Sequence, residues 1–425
     1  MGTVEFHAFG TRRDGDEWII GRVGSDRFMA IPAEGLRAIE LLREGVSIAE
    51  AQDRLKAETG MLLDVESFVA ELADAGLVAR LDGHPVDSPP LPRPTFPRLR
   101  PHHVRWTQHP VTHLGLAAVI LAGLAVCLLD PGILPGWRAM LWSEHGSLVI
   151  LGQTALAWLS VLLHELAHLA TARAAGIPGT ISLSTRLQFL VAQTNVTGIW
   201  LAPFRARAAV YLAGMALDAA ICGAALVLIF FFGPHPLLSV LVLTELGCLL
   251  AQFLLFMRTD VYFLLQDVTG CRNLYGDSAA YLRHLIGLRR GPDPLAKLPR
   301  RERVSVRLYA VLLVIGTGAC LGYAAAVTLP VMISLVASAV GTLLSGPGPI
   351  RLLDATAVLV LTTAVELLWA RAWWRRHGHR VRGFLSRRAR RTATTPARDP
   401  SGPLTGPLTG TVPPDRAPGI VGRGR

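Results

Sequence analysis

The sequence predicts a polytopic α-helical membrane protein with about six transmembrane helices and a small N-terminal α+β, winged-helix-like domain. Three observations carry this expectation. Of the 425 residues, 51% are hydrophobic and only 17% charged, and the mean hydropathy is +0.41. Apolar stretches of bilayer-crossing length recur from Leu114 onward. Ahead of them lies a segment whose apolar residues follow strand and helix periods instead. The formal charge of +11 does not call for nucleic acid. Lys and Arg sit mainly in short loops and towards the C-terminus, where they favour the cytoplasmic side and anionic lipid.

In chain order, residues 1–84 read as the soluble domain. Glu17 to Arg22 and Asp26 to Ile31 are β-prone runs joined by Val23-Gly24-Ser25, a hairpin pattern. Pro32 opens a helix with Leu36, Ile39 and Leu42 on one side, stopped by Gly45. Ser47 and Glu50 form a capping box ahead of Ile48, Ala51 and Leu55. Asp64 caps a third helix carrying Val65, Phe68, Val69 and Leu72, which ends at Gly76. Leu77 to Leu81 closes the domain as a strand. Hairpin, three helices and returning strand resemble the PqqD-like domain, the leader-recognition element of ribosomal peptide-modifying pathways. That resemblance covers roughly the first 80 residues and implies a leader peptide bound as an added strand.

Residues 85–110 are a Pro/Arg-rich linker; Pro85 to Pro101 holds seven prolines, together with Arg93, Arg98 and Arg100. This composition predicts an extended, semi-rigid spacer. Residues 111–375 form the membrane domain, with spans expected at Leu114–Leu134, Leu148–Ala175, Ala208–Phe232, Leu237–Met257, Leu308–Leu329 and Leu352–Trp374. Arg98, Arg100 and Arg105 precede the first span, and Arg173, Arg186, Arg205 and Arg207 separate the second from the third. A further basic block runs from Arg258 to Arg307, so both termini are expected in the cytoplasm. Val331 to Leu344 is apolar but is expected to lie at the outer interface, because a seventh crossing would export the arginines from Arg375 to Arg391. Residues 376–425 form a basic, Pro/Gly-rich tail expected to be disordered.

No cleaved signal peptide is expected, because Met1-Gly2-Thr3-Val4-Glu5 lacks a basic region followed by an apolar core. Cys127, Cys222, Cys248, Cys271 and Cys320 are odd in number, have no C-x-x-C spacing and fall mainly in apolar spans. This argues against a disulfide framework and against a cysteine-based zinc site.

The chemistry concentrates at His164-Glu165-Leu166-Ala167-His168 in the second span. Residues four apart share a helical face, so both imidazoles can reach one ion while Glu165 stands beside it. Two nitrogen ligands, a third ligand from elsewhere and an open position suit Zn²⁺. Ionisable groups at lipid depth are costly, which makes a functional reading the default. Asp260 follows the fourth span, which runs in the same direction as the second, so topology selects it as third ligand. Asp267, seven residues on, is the reserve. Asp218 and Glu245, also inside spans, are read as interhelical hydrogen-bonding groups. His102, His103, His109 and His113 read as an interfacial basic stretch. Ile181 to Trp200, rich in β-prone residues, is either a re-entrant hairpin that presents a substrate backbone or a linker at the headgroups.

His164 to Ala170 and Arg258 to Phe263, supported by Ala213-Gly214 and Asn273-Leu274-Tyr275, resemble the site-2 protease-type intramembrane zinc peptidases. The likeness is to their bacterial branch of peptide zinc metalloproteases, often fused to a PqqD-like domain. It spans about residues 110 to 285. The resemblance implies zinc on His164, His168 and Asp260, with Glu165 as the general base. The family's Asn-Pro before the aspartate and Gly after it are absent; Leu254-Leu255 and Val261 stand there.

The leading expectation is therefore a membrane-embedded zinc endopeptidase. It would cut a peptide or membrane-anchored protein near the cytoplasmic face, in natural-product maturation if the N-terminal domain binds a leader. Because of those departures, a non-catalytic binding, export or immunity accessory protein stays open as a second reading. A third is a zinc-dependent sensor, though no concentrated basic face favours DNA.

Overall fold

The computed structural model describes residues 2–393 apart from 23, 24, 26, 89, 92, 187, 188, 272, 288–291, 297, 346 and 347. The N-terminal region contains β1 (Val4–Phe6), β2 (Phe9–Asp14), β3 (Glu17–Arg22) and β4 (Phe28–Pro32). Helices α1 (Ala33–Arg43), α2 (Ile48–Thr59) and α3 (Val65–Asp74) follow, then β5 (Val78–Leu81) and β6 (His84–Pro85). The strands form two antiparallel sheets, ordered β1-β5-β6 and β2-β3-β4. The expected pairing of β3 with β4 is present, with Glu17 opposite Pro32 and Gly21 opposite Phe28. Two of the expected turn residues, 23 and 24, lie outside the described residues.

Strand β2 was not anticipated. It pairs with β3 from Phe9↔Arg22 to Asp14↔Glu17. Its polar run Thr11-Arg12-Arg13 hides the strand period, and the available signal was Asp14-Gly15, a hairpin-turn pair with Gly15 at φ +65°. Both helix caps form. Ser47 accepts a hydrogen bond from the Glu50 N–H, and Asp64 accepts from the Ser67 N–H at 2.9 Å. The backbone and hydroxyl bonds from Ser67 hold the Asp64 carboxyl below its ordinary pKa. Ile20, Ile31, Leu42, Leu55 and Leu72 make a fully buried core beneath the strands and helices.

The linker is anchored rather than a free spacer. Thr95 donates its N–H to the Gly179 carbonyl at 3.0 Å and accepts from the Ile181 N–H at 2.8 Å and from Arg173 at 3.1 Å. Beyond it come α4 (Pro101–Val104), α5 (Pro110–Leu129), α6 (Gly146–Ala174), β7 (Thr180–Arg186) and β8 (Phe189–Asn195). Helices α7 (Phe204–Phe232), α8 (Pro236–Ala251), α9 (Asp260–Thr269) and α10 (Leu274–Leu285) follow. The described chain ends with α11 (Arg300–Tyr323), α12 (Leu329–Leu344) and α13 (Pro349–Ala393). Contacts divide the chain into Met1–Trp369 and Ala370–Arg425, and of the latter the end of α13 is the described part.

Five helices are long and apolar enough to cross a membrane: Pro110–Leu129, Gly146–Ala174, Phe204–Phe232, Arg300–Leu344 and Pro349–Arg375. The expectation was six. The fourth predicted span is helical only over the 16 residues of α8, about 24 Å, and then unwinds. Val331–Leu344, expected as a separate interfacial segment, instead continues α11 through a π-helical turn at Ala324–Thr328. Pro330 lacks the N–H an uninterrupted helix needs, and the π turn re-pairs the backbone around that gap. Of the tail expected to be disordered, residues 376–393 instead continue α13, and the remainder lies outside the described residues.

Helix α7 is the hub of this part, touching α5, α6, α8 and α9. A Cβ on Gly123 of α5 would run into the Gly223 backbone of α7, and one on Gly223 would sit 2.8 Å from the Val119 carbonyl oxygen. Helices in lipid associate by such close backbone contact. At the start of α6, the Asp354 carboxylate of α13 accepts the Gly146 and Ser147 N–H groups, each at 3.0 Å, and the Ser147 hydroxyl. We expect Gly123→Ala to cost about 1–3 kcal/mol by overpacking, read as a lower thermal midpoint in detergent. Gly115→Ala on the same helix, where a Cβ meets nothing within 4 Å, should leave the midpoint unchanged.

Candidate metal centre

Three residues of α6, Ser160, His164 and His168, follow one another at four-residue spacing and form a polar stripe along the helix. Each has a partner on a neighbouring helix. The Ser160 hydroxyl donates to Glu245 Oε1 of α8 at 2.6 Å. His164 Nδ1 lies 2.7 Å from Asp218 Oδ2, and His168 Nδ1 lies 2.6 Å from the Val210 carbonyl oxygen, both on α7. Val210, Gly214 and Asp218 repeat the spacing of four, so α7 presents one face to the imidazole pair. Gly214 permits the approach: a Cβ there would lie 2.5 Å from His164 Nε2. Asp218 and Glu245 are thus interhelical hydrogen-bonding groups, and Asp218 bonds to a ring of the His-Glu-His motif itself.

The acceptors behind the rings decide the tautomers. A carboxylate and a carbonyl oxygen can only accept, so each Nδ1 carries hydrogen and each Nε2 faces forward. The two Nε2 atoms are 3.0 Å apart, and Asp260 Oδ2 lies 3.0 Å from His164 Nε2 and 3.2 Å from His168 Nε2. Three electron-pair donors therefore converge on one point. A single proton can bridge only one of these pairs, whereas one cation serves all three. In a tetrahedral site with bonds near 2.0 Å, ligand atoms stand about 3.3 Å apart, so the observed triangle fits after relaxing outwards by a few tenths of an ångström. His164, His168 and Asp260 form a buried group that could hold a metal ion, the one such group among the described residues.

Unwinding after α8 brings Asp260 to this point. The chain turns through Leu255–Met257 and reaches Arg258 in the left-handed region, φ 54° and ψ 58°. For a residue with a side chain this costs about 1–3 kcal/mol and is found where a site demands it. The Thr259 hydroxyl donates to the Gln252 carbonyl, and Gln252 Oε1 accepts the Asp260 N–H at 3.2 Å.

Gln252 was missed by sequence reasoning. With its oxygen engaged by Asp260, its amide nitrogen turns towards His164 Nε2, 3.4 Å away. The available signal was an amide residue eight positions before the aspartate, set in an apolar run. Asp267, the reserve ligand, is elsewhere: it forms a buried ion pair with Arg207 at 2.6 Å. Arg207 is therefore committed to that pair, not a free loop charge. Among the described residues, His102, His103, His109 and His113 form no metal-holding group.

A cavity of about 660 Å³ opens on the cluster, lined by His164, Glu165, His168, Asp260, Trp158, Trp200 and the β8 residues Gln193, Thr194 and Asn195. Of the two readings of Ile181 to Trp200, the hairpin is the one present: β7 and β8 pair antiparallel from Thr180↔Asn195 to Arg186↔Phe189. Thr194 ties it to α6 by donating its hydroxyl to the Glu165 carbonyl at 3.0 Å. On the opposite side, Arg12 of β2 donates to the Trp200 carbonyl at 2.6 Å, so the N-terminal sheet rests on the turn that walls the cavity.

No family model, curated protein or solved structure matches this chain.

Two aspartates separate ligand from scaffold. In purified protein, Asp260→Asn should lower metal content measured by elemental analysis. Asp267→Asn should leave the metal in place and instead cost about 3–5 kcal/mol of stability, because Arg207 would stay buried without its counter-charge.

Proposed function

We propose that this chain is a membrane-embedded zinc metalloendopeptidase that hydrolyses peptide bonds of a peptide or membrane-anchored protein near the cytoplasmic face. One observation carries the reading: two imidazoles of a His-Glu-Leu-Ala-His helix and a distant carboxylate converge within 3.2 Å at a cavity also lined by the intervening Glu165. Nitrogen and oxygen donors, three in number with one side open, are the ligand chemistry of a catalytic zinc site.

When bound there, the ion supplies Lewis acidity that polarises the scissile carbonyl and acidifies a water molecule. The remaining work belongs to the chain. Glu165 takes the proton from the attacking water and returns it to the departing amine nitrogen, so the peptide C–N bond breaks as the C–O bond forms. Gln252, its oxygen engaged by Asp260, offers amide hydrogens to the oxyanion that develops on the carbonyl. Strand β8 is an edge of a two-stranded sheet beside the cluster, suited to pairing with an extended substrate backbone. The apolar walls and two tryptophans exclude bulk water and accept a hydrophobic segment.

In the same proposal both termini are cytoplasmic, following the arginine distribution. The N-terminal module recruits the substrate through a leader peptide added to one of its sheets. Its docking on the Trp200 turn puts a recruited chain next to the cavity. Ribosomal peptide maturation is the setting this combination fits.

The deciding experiment compares the wild type with Glu165→Gln. Both should retain stoichiometric zinc, while cleavage of a precursor peptide or membrane-anchored substrate falls by about 10²–10⁴-fold in the variant. Equal cleavage by the two would remove Glu165 from its role, and a zinc-free wild type of native fold would remove the whole reading. For recruitment, a labelled precursor peptide should bind the full-length protein saturably. A proline scan through its leader should abolish binding where strand hydrogen bonds are lost.

A further inference from the structure

We propose that Asp218 is a positioning residue for the metal: it fixes His164 in the Nδ1–H form and supplies the buried negative charge that strengthens that ligand. The inference rests on the metal centre of the preceding proposal but not on peptide cleavage.

Asp218 sits one turn beyond Gly214 on the face of α7 that meets α6. It is 1% exposed, and its Oδ2 lies 2.7 Å from His164 Nδ1. Since a carboxylate accepts only, the ring nitrogen behind must donate, and the forward nitrogen is left with its electron pair aimed at Asp260 and His168. A carboxylate behind a metal-bound imidazole also raises its basicity. The two rings are unequal in this respect. His168 is backed by the neutral Val210 carbonyl at 2.6 Å, whereas His164 is backed by a full charge.

A carboxylate buried at lipid depth is costly and calls for a counter-charge. Asp218 Oδ1 has no hydrogen-bond partner. Among the described residues, the buried side chains include one permanent cation, Arg207, and it is paired with Asp267. Counter-charge for Asp218 is therefore available through the His164 ring, from a cation on its far side. Glu245 offers the internal comparison. It is equally buried, with Oε1 on Ser160 and Oε2 unpartnered, yet it bonds to no residue of the metal cluster. Nor did the motif spacing disclose Asp218: it lies 54 positions from His164 and becomes its neighbour only through the packing of α7 on α6.

The test uses the full-length protein in detergent, with Zn²⁺ affinity measured against a competing chelator and the visible absorption of the Co²⁺-loaded form recorded. Asp218→Asn, which keeps the shape and removes the charge, should weaken Zn²⁺ binding by about 10–100-fold and shift the Co²⁺ bands. Glu245→Gln, which alters an equally buried carboxyl that bonds to no residue of the cluster, should leave both at wild-type values. Wild-type affinity and spectrum in Asp218→Asn, or equal losses in the two variants, would overturn the assignment. Should Asp218→Asn not fold, the zinc-loaded wild type labelled with ¹⁵N-histidine decides. A strongly deshielded proton on His164 Nδ1 is required, and a ring without one there refutes the role. A wild type that takes up no zinc is a different outcome, because it removes the metal centre on which this inference rests.

Discussion

Two imidazoles one helical turn apart point at a common spot only if something behind each ring holds it there. In this protein the support comes from a single face of α7, where Val210, Gly214 and Asp218 lie opposite His168 and His164. Gly214 removes the side chain that would collide with the His164 ring, while the Val210 carbonyl and the Asp218 carboxylate take the two Nδ1 hydrogens. The same helix is pinned from its far side by the Gly123–Gly223 contact with α5. Its separation from α6 is therefore set by backbone on one side and by hydrogen bonds on the other. Small residues and polar pairs are what lipid-embedded helices use for such precision, because the hydrophobic effect does not drive helices together there.

Bringing a third group to that spot requires an interruption. An α8 continued to Met257 would carry Asp260 past the imidazoles along a straight axis. Instead the helix stops at Ala251, Gln252 bonds the backbone of Asp260, and Arg258 accepts an unfavourable left-handed conformation. Non-helical backbone at this depth is tolerated because protein covers it: the Tyr309 hydroxyl donates to the Leu255 carbonyl at 3.1 Å, and Thr259 satisfies Gln252. The following helix is then held in place by the buried Arg207–Asp267 pair. Local strain and an internal ion pair are the cost of presenting one carboxylate.

Elements outside the helical bundle close around the same cavity. The β7–β8 hairpin borders it and is tied to α6 through Thr194, the linker is stitched to the hairpin through Thr95, and β2 touches its wall through Arg12. The N-terminal domain, a strand edge and the cluster that could hold a metal thus lie along one continuous path. That path gives the proposed peptidase a physical route from capture to hydrolysis.

Much of this was legible in the chain itself. Hydropathy was enough for a helical membrane protein, because every backbone group in lipid must be paired within a helix. The caps at Ser47 and Asp64 and the hairpin β3–β4 follow from local chemistry of a few neighbouring residues. His164, Glu165 and His168 announce themselves because the helical repeat alone brings them together. Sequence determined these features because their causes are local. What depended on contacts between distant residues was decided by tertiary structure. The shortening of α8, the pairing of Asp267 with Arg207 and the roles of Gln252 and Asp218 all arise from packing between separate helices. No period or motif encodes the distance between two helices; small residues and buried hydrogen bonds set it once the bundle has formed.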